Sequence, residues 1–435
     1  MMMTGSALTD EAAEAETLVH STKTDKPRRI AILSYRSTPH VGGQGIYLDY
    51  LSRALVERGH DVDIISGPPY PEVDERVKVI EIPSLDLYAQ PHNGHFALRP
   101  RHFKRGEDLY EYFAHLTGKF AEPLTFGERL KRYFAEQKPQ YDVIIDNQTL
   151  TPGLLSDALQ KTPIIGIIHH PITQDRQLAL DAEKSFRKRL LIRRWYGFIA
   201  PQIKVACQMP IHITSSGAIK KDIMREFGLK SEQLRVIPLG VAQEDFHPRD
   251  DVKREPLQII TTASADVPLK GLIYLLRAVA KLRDDLPDLK LKVIGKLREG
   301  ATSKELEALS ISDMVSFESG LTREELARAF CAASIAVTPS LYEGFGLPCA
   351  EAMSCGTPVL TTDGGALPEV VGDAGLVVPK ADPEALATAL RTFFKQSDEL
   401  KAELGRRAFE RAQLTFNWSR IAPVYETVIE EAIAR

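Results

Sequence analysis

Two carboxylates stand eight residues apart in the stretch SLYEGFGLPCAE, Glu343 ahead of a glycine-rich hinge and Glu351 after a Leu-Pro step. Proline lacks the N–H that a helix leaves unpaired in its first turn, so Pro348 is predicted at the first position of a short helix. Gly356 is its expected stop, as the left-handed residue that follows many helices. Gly344 and Gly346 allow the backbone to approach a ligand closely. With Phe345 and Leu347 they lead into the positive end of that helix, an arrangement suited to a diphosphate. Carboxylates beside such a site make sense as partners of sugar hydroxyls rather than of phosphate. The plainer alternative for both is a solvated helix start.

Other chemistry-bearing residues stand where strands give way to loops. His169 and His170 follow the apolar run IIGII, at the strand end where ligands of open α/β sheets collect. Taken singly, either could be a hydrogen-bonded histidine at a strand end. No third and fourth ligands at sensible spacing make them a zinc site. Asp146, Asn147 and Gln148 follow another strand and are candidates for meeting an acceptor. Gly42, Gly43 and Gly45 form an expected loop between the first strand and a helix. Lys270-Gly271 sits between a strand and a helix of the second half, where a solvated lysine is the competing reading. The Asp61–Asp63 pair is explained by strand alternation, so no metal is assigned.

These elements alternate as strand and helix along the chain, the pattern of parallel α/β architecture. Expected strands include Arg29–Tyr35, Asp61–Ser66, Asp142–Asp146 and Ile164–Ile168, and, in the second half, Leu257–Ala263, Leu289–Gly295 and Ile335–Pro339. The segment Val236–Pro248 carries Pro, Gly and polar turn residues and reads as the linker between two halves.

The string EGFGLPCAE followed by CGTPVLTTDGGALPEVVGDAGLVVP resembles the donor-site signature of the GT4 family of retaining glycosyltransferases. The resemblance covers about Arg29 to the C-terminus. It implies a GT-B fold: two Rossmann-like, doubly wound parallel-sheet domains facing across a cleft. The domain bounds expected on that basis are a loosely packed leader over 1–27, an acceptor-side domain over 28–238 and a donor-side domain over 239–412. A last helix within 413–435 returns to the N-terminal domain. The resemblance also implies transfer of a sugar from a nucleotide-diphosphate sugar to a hydroxyl acceptor of unknown kind (lipid, glycan or small molecule). No cofactor or metal is expected. Lys270 would contact the diphosphate, Glu351 the nucleotide ribose, Glu343 and His169 the transferred sugar. Gly42, Gly43 and Gly45 would lie against the phosphates and the acceptor, with His170, Asn147 and Gln148 on the acceptor side.

The chain departs from the family at Ser264, where most relatives carry a second phosphate-binding arginine. Lys296 or Arg298 could replace it, backbone amides could carry more of the charge, or donor binding could be weaker. Two other activities fit the same fold, a nucleotide-sugar epimerase or a sugar phosphorylase. A non-catalytic sugar-nucleotide binder is the third alternative.

Composition narrows the classes further. A chain of 435 residues with 43% hydrophobic and 26% charged residues is long enough for two cored domains. A net charge of −4 argues against a general nucleic-acid binder. No apolar run reaches the roughly 18 residues of a membrane span, and four scattered cysteines fit a cytoplasmic protein. One segment stands apart: 184–198, KSFRKRLLIRRWYGF, mixes six Lys/Arg with apolar and aromatic residues. It is either an amphipathic surface helix or a peripheral contact with an anionic membrane face.

Overall fold

Runs of β-branched and aliphatic residues that are apolar on both faces can only be strands covered by helices on each side. In the computed structural model, which describes residues 26–37, 43–89, 97–263 and 267–435, these runs build two all-parallel sheets. All of the expected leader but Lys26 and Pro27, together with Gly42 and Ser264, lies outside the described residues. The chain divides into two compact units. Among the described residues the first holds 26–214, Lys220–Ile237 and Ala422–Arg435, and the second holds Ser215–Ile219 and Pro238–Ile421.

The first unit contains strands β1 (Arg29–Ser34), β2 (Asp61–Ser66), β3 (Lys78–Glu81), β4 (Val143–Asn147), β5 (Ile164–Ile167), β6 (Ile211–Thr214) and β7 (Leu234–Val236) in the spatial order 3-2-1-4-5-6-7. β4 is buried along its whole length and β1 along all but its first residue. Chain order reverses between β1 and β4, which pair directly from Ile30 with Val143 to Leu33 with Asp146. The crevice at the carboxyl ends of two such strands is where open α/β sheets bind ligands.

The final helix, Trp418–Ala434, supplies the last piece of this unit from Ala422 onward. Tyr425 is buried and its hydroxyl meets that of Tyr47 at 2.6 Å. Three arginine–glutamate ion pairs join the helix to the rest of this unit: Arg28 with Glu430 at 2.7 Å, Arg58 with Glu426 at 2.6 Å and Arg235 with Glu431 at 2.5 Å. The Arg58 contact is bidentate and shielded, the geometry in which Arg–carboxylate pairs are strongest.

The second unit repeats the topology with β8 (Gln258–Thr262), β9 (Lys290–Ile294), β10 (Val315–Glu318), β11 (Ile335–Thr338), β12 (Val359–Thr362) and β13 (Leu376–Val378) in the order 10-9-8-11-12-13. Its switch point lies between β8 and β11. Its core joins Leu275, Leu276, Val279 and Leu282 on one stripe of the helix Leu272–Leu282 to Ile259, Leu291 and Val337 on the strands.

Two local expectations change. The donor helix runs Leu347–Ser354 with Gly346 at its N-cap, so Pro348 is the second helical residue, a position equally free of the need for an N–H. Gly43 and Gly45 lie in the first turn of the helix Gly43–Glu57 rather than in a loop ahead of it. Tyr47, Leu48, Leu51 and Leu55 are buried along that helix, and this packing outweighs the low helix propensity of glycine.

Candidate functional site

In the second unit, three segments close on one another at the switch point. After β8, Val267 to Gly271 make a tight turn in which Lys270 N–H donates to Val267 O at 2.9 Å and Gly271 N–H to Pro268 O at 3.0 Å. Gly271 has φ +63°, and a Cβ there would stand 2.0 Å from Pro339 O, so only glycine fits. That contact holds Lys270 against the loop that follows β11, and Leu341 N–H donates to Leu269 O at 2.7 Å. Lys270 Nζ then donates to Glu343 Oε1 at 2.7 Å, and Ser340 Oγ donates to the same oxygen at 2.7 Å. The side chains of Lys270 and Glu343 are 33% and 12% exposed, so the pair is sheltered yet open on the lysine side.

The third segment follows β12. Gly365 has φ +69°, and a Cβ on it would meet Glu343 O at 2.3 Å. Ala366 N–H donates to that same carbonyl at 3.0 Å. Thr362 Oγ1 donates to Ser340 O, and Ser215 Oγ donates to Gly344 O at 2.7 Å. The loop carrying Glu343 is therefore held along its length by backbone contacts. Ser340, Thr362, Gly365 and Ser215 perform that holding, and sequence reasoning assigned none of them a role. Gly364 and Gly365 stood within the quoted signature, and the adjacent glycines were the available signal.

Gly346, at φ +100°, turns the chain into the helix Leu347–Ser354. Phe345 and Leu347 point their side chains inward, Phe345 edge-on to Phe416 at 5.5 Å, so what they offer a ligand is backbone. Glu351 is 5% exposed, and burial pushes its carboxyl up to about 8 against the pull of Arg323 and with a further push from Asp245. It belongs to the same helix as the hinge but not to the Lys270–Glu343 pair. Arg298 stands in the exposed loop after β9, also at the carboxyl edge of this sheet.

The first unit builds a separate cluster around His169. Its Nε2 lies 2.7 Å from Asn147 Oδ1, which places the ring proton on Nε2 and leaves Nδ1 as an acceptor. Its ring stands edge-on to Tyr47 at 4.8 Å, and Tyr47 is backed by Tyr425. Gln148 clamps the histidine backbone from both sides, accepting from His169 N–H at 2.7 Å and donating to His170 O at 2.9 Å. Burial depresses His169 to about 3, with His170 adding to the effect, so the ring is neutral at physiological pH. His170 turns away and pairs with Asp175 at 2.8 Å.

The segment after β4 is bent for this purpose. Gln148 and Leu150 have φ of +54° and +44°, conformations that non-glycine residues rarely hold. Asp146 stabilises the bend by accepting from Leu150 N–H at 2.9 Å and from the Thr149 hydroxyl. Asn147 and Gln148 thus hold the histidine pair in place. Tyr47 and Tyr425 are positioning residues that no local motif announced.

A 3-2-1-4 strand order in each unit, with a lysine–carboxylate pair at one switch point and a histidine beside the other, places both units in the Rossmann-like class of the GT-B fold. Residues 41–245 match the family described as Glycosyltransferase Family 4, and residues 243–411 match Glycosyl transferases group 1. The chain is 46% identical over 413 residues to an MMP α-(1→4)-mannosyltransferase of Mycolicibacterium hassiacum, covering 94% of this chain and 99% of that one. A D-inositol 3-phosphate glycosyltransferase of Corynebacterium glutamicum is 26% identical, with 93% and 97% covered. The chain belongs to the group 1, family 4 glycosyltransferases. In fold it is similar to sucrose-phosphate synthase from Thermosynechococcus elongatus (TM-score 0.69, 24% identity, 94% and 100% covered). It is also similar to Anabaena HepE in complex with UDP and glucose (TM-score 0.66, 16% identity, 93% and 100% covered).

Proposed function

We propose that this glycosyltransferase moves an α-mannosyl residue from a nucleoside-diphosphate mannose to a saccharide hydroxyl, with retention and without a metal ion. The observation that carries the proposal is Lys270, held at the β8–β11 switch point by Glu343 and one loop away from the Gly346–Leu347 amides. The mannosyl and saccharide parts rest on the similarity to the α-(1→4)-mannosyltransferase. Lys270 and the amides at the helix start would take the negative charge that grows on the leaving diphosphate, which is the main electrostatic task of the step. The bond from the anomeric carbon to the diphosphate oxygen breaks, and the acceptor oxygen bonds that carbon on the same face. The acceptor proton passes to the departing phosphate oxygen. Glu343 would accept from sugar hydroxyls, Glu351 from the nucleotide ribose, and neutral His169 would lie against the transferred sugar. Arg298 is the candidate second cation in place of the arginine missing at Ser264.

A thermal-shift screen over UDP-, GDP- and ADP-linked sugars tests the donor assignment, because a ligand that binds only the folded state must stabilise it. One nucleotide-mannose is expected to raise Tm strongly. Product formed with that donor in the presence of EDTA is expected to carry the α linkage by proton NMR. A β product, or turnover abolished by EDTA and restored by a divalent ion, refutes retention or metal independence respectively.

A second reading attaches to the helix Phe186–Trp195, none of whose residues is buried. Phe186, Leu190 and Leu191 are 78%, 58% and 53% exposed, among five Lys/Arg and no acidic residue. The neighbouring helix Gly106–Leu116 exposes Phe113 and Leu116 and buries Asp108 and Glu111 against Arg129. This face suits the anionic inner surface of a membrane, touched by a cytoplasmic enzyme. No helix among the described residues is long and apolar enough to cross one. Vesicles containing anionic lipid are expected to co-sediment the protein at low salt and to release it at high salt. Equal recovery with neutral vesicles, or none with either, removes this reading.

A further inference from the structure

The helix Asp398–Thr415 carries no residue of the candidate site, yet it packs along the donor helix Leu347–Ser354. Two contacts fix the pair. Past the end of the donor helix, Gly405 meets Gly356, and a Cβ on Gly405 would stand 2.4 Å from Gly356 O. Glycine is disfavoured inside a helix, and this close approach accounts for its presence there. Ahead of the donor helix, Phe416 stands edge-on to Phe345, with ring centres 5.5 Å apart and planes at 88°. The two contacts are eleven residues apart on each segment, from Phe345 to Gly356 and from Gly405 to Phe416. The longer helix therefore lies antiparallel to the shorter one, as a splint that spans both it and the hinge before it.

We propose that Phe416 is a positioning residue for the donor, a proposal that rests on the transferase reading above. It fixes Phe345 from behind and so aims the Gly344–Leu347 backbone at the diphosphate. Both rings are buried. Phe345 stands between Gly344 and Gly346, which leave the backbone free to swivel, so its ring is the side-chain anchor of the hinge. The flanks are held separately. Ser215 Oγ donates to Gly344 O at 2.7 Å, and a Cβ on Gly346 would stand 2.6 Å from Leu367 Cδ2. Phe416 holds the centre.

Phe416 is itself tied down. Its N–H donates to Ala412 O at 2.8 Å, and its carbonyl accepts from Val241 N–H at 2.8 Å. Asn417 bridges to Val241 in parallel fashion. The Trp418 ring covers Gly240, where a Cβ would stand 2.3 Å from Trp418 Cε2. Gly240 and Val241 come just after the chain enters the second unit at Pro238, and Trp418 just before it leaves after Ile421. A ligand that draws on the Gly344–Leu347 backbone therefore acts on Phe345, then on Phe416, and is felt at Trp418 two residues on.

The chain has two tryptophans, Trp195 and Trp418, so the full-length Trp195→Phe variant reports Trp418 alone. Its emission is expected to change saturably with the nucleotide-mannose that raises Tm, and with inorganic pyrophosphate. Phe416→Leu keeps apolar bulk but not the ring edge, and is expected to weaken both titrations. In turnover assays it should lower kcat and raise donor KM together, with kcat/KM falling up to about 10²-fold, the cost of misplacing a group by about 1 Å. Acceptor KM should stay unchanged. Phe416→Met keeps a thioether against the Phe345 ring and is expected to restore part of the loss. Phe345→Leu and Phe416→Leu together should cost less than the product of the two single losses, because the residues act as a unit.

A folded Phe416→Leu protein with lowered Tm but wild-type kcat and donor KM overturns the proposal and leaves Phe416 a packing residue. Losses that multiply in the double variant also overturn it, as does an equal rise in acceptor KM. If no nucleotide sugar shifts Tm, the transferase reading falls. The pyrophosphate titration, which needs only the hinge and Lys270, then still decides. Trp418 emission indifferent to pyrophosphate, or a response that Phe416→Leu leaves unaltered, overturns the positioning role.

Discussion

Lys270→Ala is expected to lower kcat/KM for the donor by about 10²–10³, the usual cost of removing one group aimed at charge that develops in the transition state. The loss should appear in kcat as well as KM, because the diphosphate is more negative while leaving than while bound. Lys270→Arg keeps the charge and should recover part of the rate. It will not recover all of it, since a planar fork does not reproduce an ammonium held at 2.7 Å from Glu343 Oε1. Steady-state kinetics at subsaturating donor measure this directly. A loss below tenfold in a folded variant means the phosphate charge is carried elsewhere, with Arg298 the next residue to test.

Glu351→Gln is the second large effect and reads out through pH. The unfolded carboxyl ionises near its ordinary value of 4.5, whereas burial keeps the folded one protonated up to about 8. Between those values the folded state holds a proton that the unfolded state has released. Stability from this group is therefore lost as pH rises through that window, by up to about 1.4 kcal/mol per pH unit. The glutamine variant carries no such proton. Its Tm is expected to match wild type near pH 5 and to exceed it increasingly toward pH 8. Donor affinity should move the opposite way, with KM rising about 2–10-fold below pH 8, because a hydrogen bond between neutral groups is worth about 0.5–1.5 kcal/mol. Parallel Tm profiles for the two proteins over pH 5–9 would show that the carboxyl is not held protonated by its surroundings.

How much of this was legible in the sequence depends on whether a feature is local. β1, β2, β8 and β11 are buried apolar runs, and a run is a local property. β3, β7 and β13 are not such runs. They have only three or four residues, lie at or near sheet edges and are partly exposed, so no pattern of hydrophobicity marks them. No strand is expected over β7, and only its last residue, Val236, falls within the expected linker. Lys270 and Glu343 were legible because each sits in a recognisable string. That they touch was not, since 73 residues separate them. The Tyr47–Tyr425 contact spans 378 residues and leaves no trace in either neighbourhood. Gly43 and Gly45 were read as loop from propensity alone, and the burial of Tyr47, Leu48 and Leu51 decides for helix.

The return of Ala422–Arg435 to the first unit sets an order on synthesis. A ribosome delivers the second unit's chain in full, from Pro238 to Ile421, before it delivers Tyr425 and Glu426. Until then the Tyr47 hydroxyl, Arg58 and His60 wait without the partners they have in the finished molecule. The second sheet can close on the ribosome while the first, although made earlier, stays incomplete. Nascent chains stalled before position 422 should therefore protect the second unit from protease and leave the first susceptible. The first unit is begun before the second and completed after it, and the neutral histidine that rests on Tyr47 would reach its final setting only once Tyr425 has been delivered.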